Sequence, residues 1–278
     1  MVQRWGNRQM AVGGFKMAVG GQSNKIGSFE IMRSALFLFL CTLCSLVRAD
    51  AQTVQYLHEV STRSFLFCSS AMAYFNPQDQ MPDPRSLAAS FDNLNNLETR
   101  MVQLGQPPQL LEPLNGMRAI FKQLDSGTRS SLYPDKIRQL LELNQQMQAA
   151  VAKAYEADLK TTPSSMELLN EQSQSIASLL MDYQLRRYPL ADEAGFGIDQ
   201  NRLQSISEAI DGRFSLLMEK YPDRVAILDK VRKHYQFVRS QLLQVKGRQN
   251  GGAEFYITRS VIDLNELAME LALTPPAS

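Results

Sequence analysis

Histidine, cysteine and tryptophan are scarce in this chain, with two, three and one copies among 278 residues. Two of the cysteines, Cys41 and Cys44, lie inside one apolar run. Once that run is removed, Cys68 has no thiol to pair with, so no internal disulfide can staple the fold. Its setting, Ser64-Phe65-Leu66-Phe67-Cys68, reads as a buried small hydrophobe. His58 and His234 have no second histidine, cysteine or carboxylate at metal-ligand spacing, so no metal site is expected. His58 reads as a helix-surface residue, and His234, beside Tyr235, as edging a core. Gly-x-Ser-x-Gly and Glu-x-x-His are both missing, and no set of nucleophile, base and orienter can be assembled. Glu167, Glu171, Glu208 and Glu219 read as charges that solvate helix faces. The chain is therefore expected to be non-enzymatic and to need no cofactor. No stretch alternates with period two beside a hairpin signal, which argues against a sheet.

What is present begins with the apolar run. Met32-Arg33 leads into 13 residues from Ala35 to Val47, and Arg48-Ala49-Asp50-Ala51 follows. A basic start, a short apolar stretch and an Ala-x-Ala site describe a secretory signal peptide at 32–51, cleaved before Gln52. The run is short of the roughly 20 residues a bilayer requires, so no stable membrane span is expected after cleavage. Neither cysteine in it follows a small residue, so no lipid attachment is expected. The expected location is the periplasm. Residues 1–31 hold six of the 15 glycines and the only tryptophan, Trp5, and read as a leader that is untranslated or disordered. Met32 is the expected start. Gly13-Gly14 and Gly20-Gly21 have no Lys-Ser/Thr after them and make no phosphate loop.

The whole chain carries 29 Lys and Arg against 28 Asp and Glu. Residues 1–51 account for six of the basic residues (Arg4, Arg8, Lys16, Lys25, Arg33, Arg48) and two of the acids (Glu30, Asp50). The mature chain is left with 23 against 26, a net charge of −3. That balance argues against a nucleic-acid or anionic-membrane surface.

The mature chain reads as helix throughout. Leu87, Phe91, Leu94, Leu97, Met101 and Leu104 recur every three or four residues, as do Leu228, Val231, Tyr235, Val238, Leu242 and Val245. Ile137, Leu140, Leu141, Met147 and Val151 repeat the pattern, and Val261, Leu264, Ala268 and Leu271 close the series. Such spacing lays one apolar stripe along a helix. Breakers cut the stripes into eight pieces: Pro82-Asp83-Pro84, Gly105-Gln106-Pro107-Pro108, Asp125-Ser126-Gly127, Tyr133-Pro134-Asp135, Thr162-Pro163-Ser164, Tyr188-Pro189, Tyr221-Pro222-Asp223 and Gly251-Gly252. Eight helices suggest a duplicated four. Leu66 matches Ile176 at an offset of 110, Ile120 to Leu124 match Val238 to Leu242 at 118, and Leu143-Asn144 match Leu264-Asn265 at 121. A rival register pairs Tyr133-Pro134-Asp135 with Tyr221-Pro222-Asp223 at 88, and reads as one helix-start chemistry used twice. The expected fold class is all-α, two tandem antiparallel four-helix-bundle units at 52–162 and 163–273, with a tail at 274–278.

Two segments carry a family resemblance. His234-Tyr235-Gln236-Phe237-Val238-Arg239-Ser240-Gln241-Leu242 resembles the aromatic–Arg third helix of the extracytoplasmic sensor domain of type IV pili methyl-accepting chemotaxis transducers. Glu254-Phe255-Tyr256-Ile257-Thr258-Arg259-Ser260 resembles the opening of that domain's fourth helix. The domain is a relative of the nitrate/nitrite sensor bundle, and the resemblance covers Val54 to Leu273 as two copies. It implies a ligand site on the first helix of each copy, where the sequence reads Ser61-Thr62-Arg63-Ser64 and Gln172-Ser173-Gln174-Ser175. In the nitrate-sensing relatives an arginine of this helix holds the anion at a dimer seam. Arg63 and Ser64, with Gln172 and Gln174, are the implied ligand-binding residues. Read from the residues alone, Arg63 holds an anion or partner carboxylate, or is simply solvated. The chain departs from the family in lacking a second membrane helix and a signalling region before Ser278.

The expected function is a periplasmic sensory or binding accessory protein, with a small anion or a protein of a pilus or chemosensory system as partner. The alternative is a structural helical adaptor of the envelope with no small-molecule site. Its apolar faces also leave a homodimer open.

Overall fold

The computed structural model describes residues 51–127, 130–158, 164–190, 195–244 and 252–274. The expected leader, the export signal before Ala51 and the tail after Thr274 lie outside the described residues. The described residues contain helices and no strand, as expected for an all-α chain. Helix α1 covers 51–74. It is followed by α2 (Pro84–Gln103), α3 (Pro108–Asp125), α4 (Tyr133–Asp158), α5 (Ser164–Arg187), α6 (Gln200–Lys220), α7 (Val225–Leu243) and α8 (Ala253–Leu273). Single 3-10 turns, Ser130–Leu132 and Pro222–Arg224, lead into α4 and α7.

Local chemistry sets the helix ends. Asp83 caps α2 by accepting the Arg85 N–H at 2.9 Å, with Pro84 in the first turn, where its missing N–H costs nothing. The same helix ends in a Schellman motif. Gln106 N–H reaches Met101 O (2.9 Å) and Gly105 N–H reaches Val102 O (3.0 Å). Gly105 and Gln106 have φ of 75° and 56°, the left-handed region the motif needs, and glycine takes it without a Cβ penalty. Asp199 caps α6 through the Arg202 N–H at 3.0 Å.

Two apolar cores organise the helices. In the first, α1 (Leu57, Val60, Phe67, Met72) and Phe75 just after it pack with Leu97 and Met101 of α2, Leu114 and Phe121 of α3, and Leu140 and Met147 of α4. Phe121 is its hub, edge-on to Phe67 (5.3 Å), Phe91 (5.0 Å) and Phe75 (6.0 Å). The second joins Ile176 and Leu180 of α5, Ile210 and Phe214 of α6, Val231 and Tyr235 of α7, and Ile257 and Leu264 of α8. Each core also takes side chains from the other half: Leu66 of α1 enters the second, and Leu185 and Tyr188 at the end of α5 enter the first. Cys68 is buried in the first core, as its apolar context predicts, and burial pushes its thiol pKa up.

Leu143 of α4 packs its side chain over Gly116 of α3. A Cβ there would meet Leu143 Cδ2 at 2.7 Å. We expect Gly116→Val to cost about 1–3 kcal/mol, because the branched side chain overpacks this contact faster than better helix propensity repays it. A urea midpoint equal to or above wild type would contradict this.

Candidate functional site

Helix α1 is buried on nearly every side, although it is not apolar all round. Many of its polar side chains are matched to the helices around it, while Ser69 Oγ, Gln55 Oε1 and Arg63 Nε have no hydrogen-bond partner among the described residues. Arg63 donates to Asn93 Oδ1 of α2 at 3.2 Å, and Arg100 of α2 holds Glu59 at 2.7 Å. Ser61 Oγ lies 2.5 Å from Gln148 Oε1 of α4 and 2.9 Å from Gln174 Oε1 of α5, with one hydroxyl hydrogen to share between them. Gln148 Nε2 in turn reaches Ser64 Oγ at 2.7 Å. His58 Nε2 lies 2.6 Å from Ser173 Oγ of α5. Asn265 of α8 donates to Thr62 Oγ1 at 2.9 Å. Bonds like these satisfy polar groups that burial would otherwise penalise by about 1–3 kcal/mol each.

Where α1, α4 and α5 meet, this polar seam opens into a cleft of about 370 Å³. His58, Ser61, Gln148, Asn170 and Gln174 supply polar groups, Val151, Ala152 and Tyr155 supply apolar surface, and Glu156, Glu167 and Glu171 supply charge. Among the described residues no Lys or Arg lines it. Glu171 pairs with Arg213 at 3.3 Å. Glu156 and Glu167 are exposed and have no ion pair among the described residues. Asn170 is only 4% exposed. Its Nδ2 donates to Tyr155 Oη at 3.3 Å, while its Oδ1 has no hydrogen-bond partner among the described residues. Burial pushes the Tyr155 phenol pKa up and drives that of His58 down to about 3, with the Asn265 side chain offsetting only part of the latter effect. His58 is therefore a neutral imidazole at physiological pH.

The four residues implied by the family resemblance do not converge. Ser64 and Gln174 meet through Gln148, beside the cleft. Arg63 faces the opposite way, toward α2, with Asp92 at 3.7 Å as well as Asn93. Gln172 turns to α6, donating to Ile210 O at 3.0 Å and accepting from Arg213 Nη1 at 3.1 Å. Arg63 is not solvated: it is 7% exposed, and desolvation lowers its pKa against the pull of Glu59 and Asp92. His58 is not a surface residue, since Ser173 and the packing of α5 bury it. His234 does edge the second core, half-buried and edge-on to Tyr256 at 5.3 Å. Sequence reasoning missed His58, Ser61, Gln148 and Asn170. It also took Glu167 and Glu171 for ordinary solvating charges.

A second cleft, about 460 Å³, lies between the start of α2 and α8, lined by Arg85, Ser86, Glu254, Phe255, Tyr256 and Arg259 among others. Ser86 donates to Glu254 at 2.9 Å, yet desolvation still pushes the Glu254 carboxyl pKa up to about 7. Beside it, Tyr256 sits edge-on between Phe237 (5.0 Å) and Phe255 (5.4 Å), both about two-thirds exposed.

Comparison with family models, with curated proteins and with solved structures returned no match. Among the described residues no group of three or more His, Cys, Asp or Glu could hold a metal ion. None of the described helices is long and apolar enough to cross a membrane.

Proposed function

We propose that this chain is an exported, non-enzymatic binding protein that holds a small polar ligand in the cleft between α1, α4 and α5 and acts through a protein partner. The observation that carries the reading is the cleft itself, where His58, Ser61, Gln148 and Gln174 set polar groups beside the apolar surface of Val151, Ala152 and Tyr155. A cleft of this volume, part apolar and part polar, suits a small molecule. We read the architecture as two tandem four-helix units, α1–α4 and α5–α8, joined along α1 and α5. Matched positions support the duplication. Asn144 of α4 reaches Met181 of α5 in the other half, and Asn265, its counterpart in α8, reaches Thr62 of α1 in the other half. The resemblance to type IV pilus chemoreceptor sensor domains, together with the export signal, suggests a periplasmic sensory accessory.

The charge of the cleft alters the ligand expected. Among the described residues three carboxylates and no cation line it, which disfavours the small anion that Arg63 suggested. The second reading, a structural adaptor, draws support from the exposed aromatic patch at Phe237 and Phe255, since large exposed apolar side chains in one place favour protein contact. A thermal-shift panel of small polar metabolites separates the two. A ligand at about 100 times its Kd should stabilise the fold by about 2.7 kcal/mol and raise Tm by about 5–10 °C. A panel with no shift at all leaves the adaptor as the standing reading.

A further inference from the structure

Phe237 of α7 and Phe255 of α8 are the only phenylalanines more than half exposed among the described residues. They are not scattered. Both rings stand edge-on to Tyr256, at 5.0 Å and 5.4 Å, and His234 meets the same ring at 5.3 Å. Isolated exposed apolar side chains are ordinary, whereas rings gathered in one place mark a contact surface. The cleft of about 460 Å³ between α2 and α8 shares Phe255 and Tyr256 with this cluster and adds Ala89 and Ile262.

The charge beside the rings is positive, although residues 52–278 carry 23 Lys and Arg against 26 Asp and Glu. Two carboxylates serve four cations there. Asp229 pairs with Arg232 (2.9 Å) and Lys233 (2.6 Å), and Asp263 pairs with Lys230 (2.9 Å) and Arg259 (2.7 Å). Lys233 is largely exposed, and Lys230 and Arg259 are half exposed. Arg85 is matched by Asp83. Glu254 is tied to Ser86, and burial leaves its carboxyl only partly ionised at neutral pH. The stretch 245–251 adds Lys246 and Arg248 to the sequence and no acid.

Building on the protein-partner half of the proposed function, we infer that this face docks an acidic segment of a different protein. An apolar side chain of that segment enters the α2–α8 cleft against Phe255 and Tyr256, and its carboxylates meet Lys233 and Arg259. A bilayer presents a flat face and would leave the cleft unfilled. A second copy, related by a two-fold axis, would set this positive face against itself. An acidic partner removes that conflict, and its charge complements the surplus.

The test is selection of a displayed library of random peptides on the full mature chain, followed by fluorescence-polarisation titration of the enriched peptides. Enriched sequences should combine a large apolar residue with Asp or Glu. Phe237→Ser/Phe255→Ser should weaken them about tenfold or more. Lys233→Gln/Arg259→Gln removes the surplus charge yet leaves Asp229 with Arg232 and Asp263 with Lys230. It should weaken the peptides several-fold, and more at low salt than at high salt. Circular dichroism melts should show both variants folding as wild type does, because all four side chains are half exposed or more. Enriched peptides without acidic residues overturn the inference. So do peptides whose affinity survives both double variants, although the partner reading then stands with its contact elsewhere. Flotation with phosphatidylglycerol vesicles, if lost in the serine variant, assigns the face to lipid and overturns the protein partner. Self-association in sedimentation that the serine variant abolishes assigns it to a second copy, with the same consequence. A library that yields no binder takes down both this inference and the partner reading, and leaves the small-ligand cleft to its own thermal-shift panel.

Discussion

Asp182→Ala should lower folding stability by about 3–5 kcal/mol, the cost of removing one partner from a buried ion pair. Asp182 is fully buried on α5. One carboxylate oxygen accepts Arg186 Nε at 2.8 Å, and the other accepts the Ile198 N–H at 2.7 Å. That second bond positions the segment running into the Asp199 cap of α6. Arg186 extends the network by donating to the carbonyls of Leu242 and Gln244 at the end of α7. Those carbonyls are among the last of α7, which have no partner within their own helix. One carboxylate thus ties α5 to the start of α6 and, through a guanidinium only 10% exposed, to the end of α7. Alanine would strand the guanidinium and leave an amide N–H without its acceptor. Asp182→Asn keeps an acceptor for Ile198 and should cost less than alanine. Urea denaturation of the three proteins, followed by the shift in midpoint at constant slope, checks the order. An alanine variant within 1 kcal/mol of wild type, a bound well below the range for broken buried pairs, would mean the network carries little.

What could be read in advance followed how locally each feature is determined. Pro84, Pro108, Pro134, Pro222 and the glycines at 105 and 252 act within a residue or two of themselves. The helix boundaries they announce were accordingly legible. So was the stripe of α7 from Leu228 to Leu242, because that helix buries one face, while Val245 lies outside the described residues. Phe91 marks the limit: it keeps the α2 period yet stays 42% exposed, at the edge of the first core against Phe121. The cleft was hidden because its bonds join residues 15 to 115 positions apart. A helix buried on all sides has no polar face to give it away. Nor could the spacing of Glu167 and Glu171 distinguish a cleft rim from open solvent. One signal was available and went unused. Across 52–74 only Glu59 and Arg63 are charged, while Ser, Thr and Gln recur. A solvated helix face carries more Lys and Glu than this, so uncharged polar density marks a helix whose hydrogen bonds are made inside the protein. The same reasoning would have moved His58 inward and warned that Arg63 would be spent on its own fold.

His58 should make the protein acid-sensitive, and replacing it should remove that sensitivity. In the unfolded chain an imidazole titrates near its ordinary value of 6.5, whereas the folded site takes a proton only at about pH 3. Between those values the unfolded state binds the extra proton, so stability rises with pH across the window and is fully present above 6.5. As pH falls below 6.5 the loss is about 1.4 kcal/mol per unit, or about 3 kcal/mol by pH 4. Glu254 works in the opposite sense. Its carboxyl pKa, pushed up to about 7 by burial, lets the folded state take a proton first, so this group favours folding as pH falls from 7 toward 4.5. Glu59 shifts in the same direction, with burial outweighing the attraction of Arg100. The wild-type profile alone can therefore look flat. The informative quantity is the difference between wild type and His58→Gln, whose amide can still meet Ser173 but does not titrate. We expect that difference to be nearly constant above pH 6.5 and to swing in favour of the variant by about 3 kcal/mol by pH 4. Urea melts of both proteins from pH 7.5 to 4 measure it. A difference that stays level across the window would place His58 in contact with water and undo the account of the seam on which the cleft depends.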